Sequence, residues 1–180
     1  MLNNTFDLQI EGTPSEFGDQ SILENFRFPN GKAFPKSYKS FVKNYGYGLA
    51  LGEFHIYIPM GNYGDSLTVR SDEIRSTYID DVKNDDIWFE IGPDCSLPIV
   101  KRLFPFASSD NGYYLFWDYE IDVAGELDIY ITDFKGTGFR KAGKSIDELI
   151  SNLTGGSIKE FLPFCSHPLP RTFKCLKKVE

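Results

Sequence analysis

Residues 34–52 combine a helical pattern, a set of glycines and the start of a strand, in that order. The apolar face of the helix has the i, i+3, i+4, i+7 spacing and consists of Tyr38, Phe41, Val42 and Tyr45. Pro35 stands where the first turn of a helix tolerates proline, and Gly46 stands where a left-handed residue closes a helix. Residues 53–59 then alternate between the two sides of a predicted strand.

The order of these elements argues against a dinucleotide-binding loop. Such a loop runs from a strand through glycines into a helix, because the pyrophosphate binds at the positive N-terminus of that helix. Here the glycines follow the helix, and the spacing of Gly46, Gly48 and Gly52 does not match the fingerprint. We therefore interpret these glycines as the end of a helix and the start of a strand.

The remaining patterns predict helices near both ends of a run of strands. A capping box at residues 13–16 predicts the start of one helix, and two further helices are expected over 66–83 and over 145–153. Strands are expected over 53–59, over 87–92, on both sides of a turn at 110–112 and over 125–134. Short connections between strands favour an α+β fold with a mostly antiparallel sheet. The tail over residues 167–180 is expected either to lie along the surface or to extend away from it.

Composition limits the classes of partner. The chain has 180 residues without a linker or repeat, which predicts one domain over 1–180, and its net charge is −7. This charge repels nucleic acids and membrane phosphates and attracts basic proteins. No apolar run is long enough to span a membrane, and no signal peptide is evident. The three cysteines do not have zinc-site spacing, so we expect reduced thiols and a cytoplasmic protein, although Cys165 and Cys175 could pair under oxidising conditions.

Catalytic and metal-binding patterns are weak. His55 lies in a predicted strand and His167 in a predicted loop, so neither resembles a catalytic base. Three other groups contain possible metal ligands, but an ordinary structural or surface role fits each of them better: Cys165 with His167 and Cys175; the carboxylates of residues 80–86; and Asp118 with Asp128 and Asp133. The residues therefore predict a binding domain that is not an enzyme, with no cofactor, no metal and no catalytic residue.

A set of short motifs, in a fixed order, resembles the SUKH superfamily. Phe34-Pro35 opens the helix of the first motif, and Tyr45-Gly46 with Gly48 closes it. Pro105-Phe106-Ala107, followed by Asp110, Gly112 and Asp118, matches the hairpin motif. The similarity covers roughly residues 15–153 and leaves 157–180 as a C-terminal extension. It implies a curved sheet packed by helices.

The resemblance also implies a function. Many bacterial members are immunity proteins, which bind a polymorphic or contact-dependent toxin, often a nuclease, and block it. Other relatives are regulatory scaffolds of the yeast Smi/Knr type, which act in cell-wall signalling. The leading hypothesis is therefore an immunity protein for a basic, nuclease-like toxin. The alternatives are a Smi/Knr-like scaffold that binds another protein, or a carbohydrate- or nucleotide-binding module that uses the aromatic strand.

The expected interface combines carboxylates, which attract a basic nuclease groove, with exposed aromatic rings, which slow dissociation. Its members are Asp80, Asp81, Asp85, Asp86 and Glu90, with Tyr47, Tyr57 and Tyr119 as the aromatic anchors. A solubilising acidic surface is an equally good interpretation of any one of these carboxylates. The identity of the toxin and the oligomeric state are left open.

Overall fold

A computed structural model describes residues 6–85 and 90–179, apart from the side chain of Ile121. Its helices are α1 (Gln20–Asn25), α2 (Lys36–Tyr45), α3 (Leu67–Ile74), α4 (Asp80–Lys83), α5 (Leu97–Val100), α6 (Ile146–Leu153) and α7 (Ile158–Phe161). Its strands are β1 (Gln9–Glu11), β2 (Gly48–Ala50), β3 (Phe54–Ile56), β4 (Leu103–Ser109), β5 (Tyr114–Val123), β6 (Glu126–Thr132), β7 (Arg140–Gly143) and β8 (Thr172–Cys175).

The strands form one curved, open sheet, and the fold is α+β. Over the described ranges the strand order is β1-β8-β2-β3-β4-β5-β6-β7. Among the named strands of the described residues, only β1 and β8 pair in parallel, so the prediction of a mostly antiparallel sheet is confirmed. The β4–β5–β6 meander supplies the long strands, and its first turn lies where the Asp110-Asn111-Gly112 sequence predicted it.

Helix α2 has the predicted bounds and the predicted buried face, and backbone groups at both of its ends find hydrogen-bond partners. At its N-terminus, the Glu126 carboxylate accepts hydrogen bonds from Ser37 N at 2.8 Å and from Ser37 Oγ at 2.6 Å. At its C-terminus, Gly46 has a φ of 70° and donates its N–H to the Val42 carbonyl. A Cβ atom at Gly46 would lie 2.3 Å from the Glu16 carbonyl oxygen. This position therefore requires glycine for both backbone conformation and space.

The core lies on both faces of the sheet. On one face, the fully buried Trp117 stacks on Phe106 with ring centroids 4.1 Å apart and meets the edge of Tyr38 from α2. On the other face, Phe116 packs against Phe134, which in turn stacks on Tyr78 at 4.5 Å. Because consecutive residues of β5 point to opposite faces, this one strand contributes to both halves of the core.

A continuous helix over residues 67–83 covers the Phe116 face. It consists of α3, a π-helical turn at Arg75–Ile79 and α4, and all its junction residues keep right-handed helical backbone angles. The prediction of helix over 66–83 is therefore confirmed. We refer to this element as the 67–83 helix.

Three local predictions need comment. The capping box predicted at residues 13–16 is wrong, because α1 begins at Gln20 and its N-cap is Asp19, which accepts from Ile22 N. The prediction that the tail lies along the surface or extends away from it is wrong, because β8 belongs to the tail and lies inside the sheet between β1 and β2. The strand predicted over 87–92 falls largely outside the described residues, and residues 90–92 are not in a strand.

Candidate functional site

The predicted acidic residues lie at and beyond the C-terminal end of the 67–83 helix. Asp80 and Asp81 are in the first turn of α4, where Asp80 is exposed and Asp81 is half-buried. Asp85 is exposed just after the helix and has a left-handed backbone with a φ of 59°. Glu90 is exposed as well, whereas Asp86 lies outside the described residues. We call Asp80, Asp81, Asp85 and Glu90 the acidic segment.

Little positive charge offsets the acidic segment. Residues 80–90 contain five carboxylates and one lysine, Lys83. Its ammonium lies 3.3 Å from the Asp80 carboxylate, while Asp81 and Asp85 have no ion-pair partner among the described residues. Glu90 folds back and accepts a hydrogen bond from Gly92 N at 3.1 Å. The segment therefore presents an excess of negative charge to solvent.

The expectation that three tyrosines are exposed beside this charge is wrong. Tyr47, Tyr57 and Tyr119 are 5%, 2% and 9% exposed. The Tyr47 hydroxyl donates to the Asp65 carboxylate at 2.6 Å, and burial raises the pKa of Tyr47. The Tyr119 ring stacks on Phe28, with ring centroids 5.3 Å apart. These rings fill the core, so they cannot anchor a partner without moving.

An apolar residue that the sequence did not single out lies near the acidic segment. Leu97 is the first residue of α5, a helix that contacts α4, and its side chain is 40% exposed. Local pattern gave no signal for this exposure, because Leu97 belongs to an apolar run that continues through Ile99 to the buried Val100. Among the described residues, Leu97 is thus a large exposed apolar side chain on a helix that contacts α4.

The three carboxylates weighed as nuclease-like metal ligands have separate structural partners. Arg102 donates to both oxygens of Asp118 at 2.8 and 2.9 Å, and the Lys141 ammonium lies 2.5 Å from the Asp128 carboxylate. Asp133 accepts from Thr137 Oγ1 and from the backbone N–H of Lys135. Each of these carboxylates thus has its own local role in loop or core structure.

No group of three or more potential ligands that could hold a metal ion occurs among the described residues. This finding includes the weighed combination of Cys165, His167 and Cys175. His167 Nδ1 lies 2.8 Å from the neighbouring Ser166 Oγ, and both cysteines are free thiols. His55 lies in β3, half-buried, with Nε2 3.8 Å from the Asp110 carboxylate. A cation site at the acidic segment is likewise not formed by the residues described there.

Comparisons with known proteins give one positive result. The SUKH_6 family, described as SMI1-KNR4 cell-wall, matches residues 25–150, which is well over half of the chain. The matched region includes α2 with its closing glycine and the β4–β5 hairpin. No curated protein and no solved structure matches the chain significantly. Within the described ranges, none of the helices has the length and apolar character needed to cross a bilayer.

Proposed function

This chain belongs to the SUKH_6 family (SMI1-KNR4 cell-wall), and from that premise we propose that it is an immunity protein. In this proposal it binds a protein toxin, a nuclease in particular, and neutralises it by occupying the toxin's basic surface. It performs no chemistry itself and needs no cofactor. The family is compatible with this role, and the charge distribution is what favours it for this chain.

The observation on which the proposal depends is the excess negative charge of the acidic segment. A nuclease must bind a polyanion, so its active groove contains lysine and arginine side chains. A protein with a net charge of −7 is attracted to such a groove over a distance set by the ionic strength. Complementary charge of this kind raises association rates from about 10⁵–10⁶ to as much as about 10⁸–10⁹ M⁻¹s⁻¹ at low salt.

Tight binding also requires apolar contact at the centre of the interface. Tyr47, Tyr57 and Tyr119 are buried, so we assign this contact to Leu97. Because it is partly exposed on a helix that contacts α4, a toxin that binds the acidic segment could bury Leu97 in the same interface. An apolar contact ringed by polar groups has the anatomy of a protein–protein interface.

The test is charge reversal with a control of equal net charge. The test variant combines Asp80→Lys, Asp81→Lys and Asp85→Lys. The control variant combines Asp110→Lys, Glu120→Lys and Glu160→Lys, which are exposed positions on other elements. Each variant is co-expressed with the toxic C-terminal domain of a secreted protein encoded beside the gene, and growth is scored.

We expect the natural chain and the control variant to rescue growth and the test variant to fail. With purified proteins, the association rate of the test variant should fall at least about tenfold at low salt, because steering depends on these charges. Equal rescue by both variants, together with equal association rates, would exclude the acidic segment as the binding surface. Failure of the natural chain to bind the toxin would reject the immunity function itself.

A regulatory scaffold is the second candidate, and the reference to the cell wall in the family description favours it. A scaffold would use the same acidic surface to bind a host protein instead of a toxin. The two functions differ in one measurement, the loss of a partner's toxicity. A partner that is harmless when expressed alone, and that binds the natural chain but not the test variant, would favour the scaffold.

A further inference from the structure

A polar cavity of about 230 Å³ lies between the 67–83 helix and the sheet. Its wall consists of Tyr57, Arg70, Glu73, Ile74, Thr77, Tyr78, Ser108 and Tyr114. At roughly 30 Å³ per molecule of liquid water, it has room for about eight waters. None of these residues belongs to the acidic segment, so this cavity is distinct from the proposed protein-binding surface.

The cavity has a buried base, formed by Tyr57 and Ile74, and its hydroxyl groups include two hydrogen-bonded pairs. Tyr57 is only 2% exposed, and its hydroxyl shares a short hydrogen bond with Ser108 Oγ. The Tyr114 hydroxyl donates to the Tyr78 hydroxyl at 3.2 Å. Together with Thr77, the residues that line the cavity carry five hydroxyl groups. The positions of the tyrosine hydroxyls are fixed because their rings are packed into the core.

Internal contacts already cover ring faces in this cluster. The Arg70 guanidinium lies 5.6 Å above the Tyr57 ring, and the Tyr78 ring stacks on Phe134. Tyr114 and Tyr78 also contact each other, with ring centroids 5.2 Å apart. The tyrosine rings therefore offer their hydroxyl groups to a ligand, because their flat faces are already covered by other side chains. This arrangement disfavours a ligand that binds by stacking, such as a nucleobase.

The charges at the cavity compensate one another. Arg70 Nη1 donates to Glu73 at 3.0 Å, and Arg70 Nε lies 3.3 Å from the Asp65 carboxylate. A free anion would have to compete with two carboxylates for this guanidinium, and a free cation would meet the guanidinium itself. The cavity is therefore unsuited to select an ion. Its guanidinium donors and carboxylate acceptors remain able to form hydrogen bonds with a neutral ligand.

The π-helical turn explains how the helix contributes two of the hydroxyls. Thr77 and Tyr78 both lie within Arg75–Ile79, and both line the cavity. A π-helical turn is wider than an α-helical one and changes the direction of the side chains it contains. Such turns occur frequently at functional sites. Here the turn coincides with the cavity and brings adjacent residues into one wall.

We propose that this cavity binds a small neutral polyhydroxylated ligand of about the size of one pyranose ring. Each hydroxyl of such a ligand both donates and accepts hydrogen bonds, which matches a wall of hydroxyls with one donor and one acceptor group. The cavity is smaller than the roughly 300–1,000 Å³ typical of pockets for drug-sized ligands, so a longer chain would extend into solvent.

The test is a titration of the ¹⁵N-labelled natural chain, followed by NMR. The probes are D-glucose, D-galactose and N-acetyl-D-glucosamine, with sodium phosphate and arginine methyl ester as ionic comparators. We expect at least one sugar to give saturable shift changes confined to the residues around the cavity. Tyr114→Phe and Thr77→Val should each raise the Kd of that sugar about fivefold, which is the effect of one lost hydrogen bond. Tyr113→Phe, next in sequence but outside the cavity wall, should have no effect.

Three results would overturn the proposal. One is the absence of saturable shifts with all three sugars. Another is stronger binding of phosphate or of arginine methyl ester at the same residues, which would indicate an ionic or a peptide ligand. The last is equal weakening by Tyr113→Phe and Tyr114→Phe, which would place the sugar elsewhere.

Discussion

Replacing Arg102 with alanine should leave a fully buried carboxylate without its cation. Asp118 is 0% exposed, and Arg102 donates to both of its oxygens, at 2.8 and 2.9 Å. The hydrogen bonds with Asp118 raise the pKa of the Arg102 guanidinium, so the arginine is charged at every pH at which the protein is folded. The two residues connect the segment before β4 to the middle of β5.

The magnitude follows from burial and from the contacts that survive. Removing one partner of a buried ion pair costs about 3–5 kcal/mol, because the remaining charge is left without compensation. Two features place the expected loss for this pair at the lower end of that range. The Arg102 side chain is 28% exposed, and Asp118 keeps a hydrogen bond from Glu120 N at 3.1 Å. We therefore expect a loss of about 3 kcal/mol, which corresponds to a Tm lower by about 6–12 °C for a domain of this size.

Urea unfolding followed by tryptophan fluorescence measures this loss, since Trp117 adjoins Asp118 in the core. The variants are Arg102→Ala, Asp118→Ala and the double substitution, which together form a thermodynamic cycle. Removing both partners should cost less than the sum of the single losses, because no buried charge remains. A loss below about 1 kcal/mol for Arg102→Ala, or strict additivity in the cycle, would refute this account of the pair.

Three further predictions concern other parts of the fold. Gly46→Ala should lower the free energy of unfolding by more than about 2 kcal/mol, because the new Cβ would lie 2.3 Å from a carbonyl oxygen. The control is Gly31→Ala, where φ is also positive but nothing lies within 4 Å of the new Cβ. In the same urea assay, this control should cost only about 1–2 kcal/mol. Cys95 should react with iodoacetamide at pH 8 more slowly than the other two cysteines, because burial raises the pKa of its thiol to about 12 and only about 10⁻⁴ of the thiol is then thiolate. Mass spectrometry measures the labelling rates, and faster labelling of Cys95 than of the other two cysteines would contradict this. Glu126→Ala should cost about 1–2 kcal/mol through loss of the α2 cap, measured by thermal unfolding, whereas the exposed Glu120→Ala should change stability by less than about 0.5 kcal/mol.

The parts of the fold that could be predicted are those with strong local patterns. Helix α2 combines four apolar residues on one face with a terminal glycine, and the structure begins and ends it as predicted. The β4–β5 hairpin combines alternation with a turn sequence, and β6 continues it. In these elements, the periodicity, the cap and the turn chemistry all indicate the same structure.

The parts that could not be predicted depend on contacts between distant residues. Strand β8 contains one fully buried side chain, Phe173, and its four residues show no pattern that distinguishes them from a loop. It is a strand because β1 and β2 supply hydrogen-bonding partners on both sides. Similarly, the cap of α2 comes from Glu126, which lies 89 residues away in sequence.

The exposure of the tyrosines was mispredicted for a related reason. Alternation along a strand separates a buried face from a solvent face only when one face of the sheet is open. Here helices pack on both faces, so Tyr57 is buried together with its neighbours Ile56 and Ile58. The alternation predicts the strand and its aromatic character, but it carries no information on whether the second face is covered. The carboxylates were easier to place, because charged side chains seldom become buried without a partner.

The residues proposed for partner binding are separate from those that hold the fold together. The short motifs that resemble the family lie in α2, its closing glycine and the β4–β5 hairpin, all of which contribute to the core. Asp80 is exposed and lies in right-handed helix, so substitutions there should change stability by less than about 0.5 kcal/mol. A surface with this property can change its charge without refolding of the domain. The short motifs in α2 and in the hairpin therefore do not specify the partner, and binding measurements on Asp80 variants report recognition, since we expect their stability to match that of the natural chain.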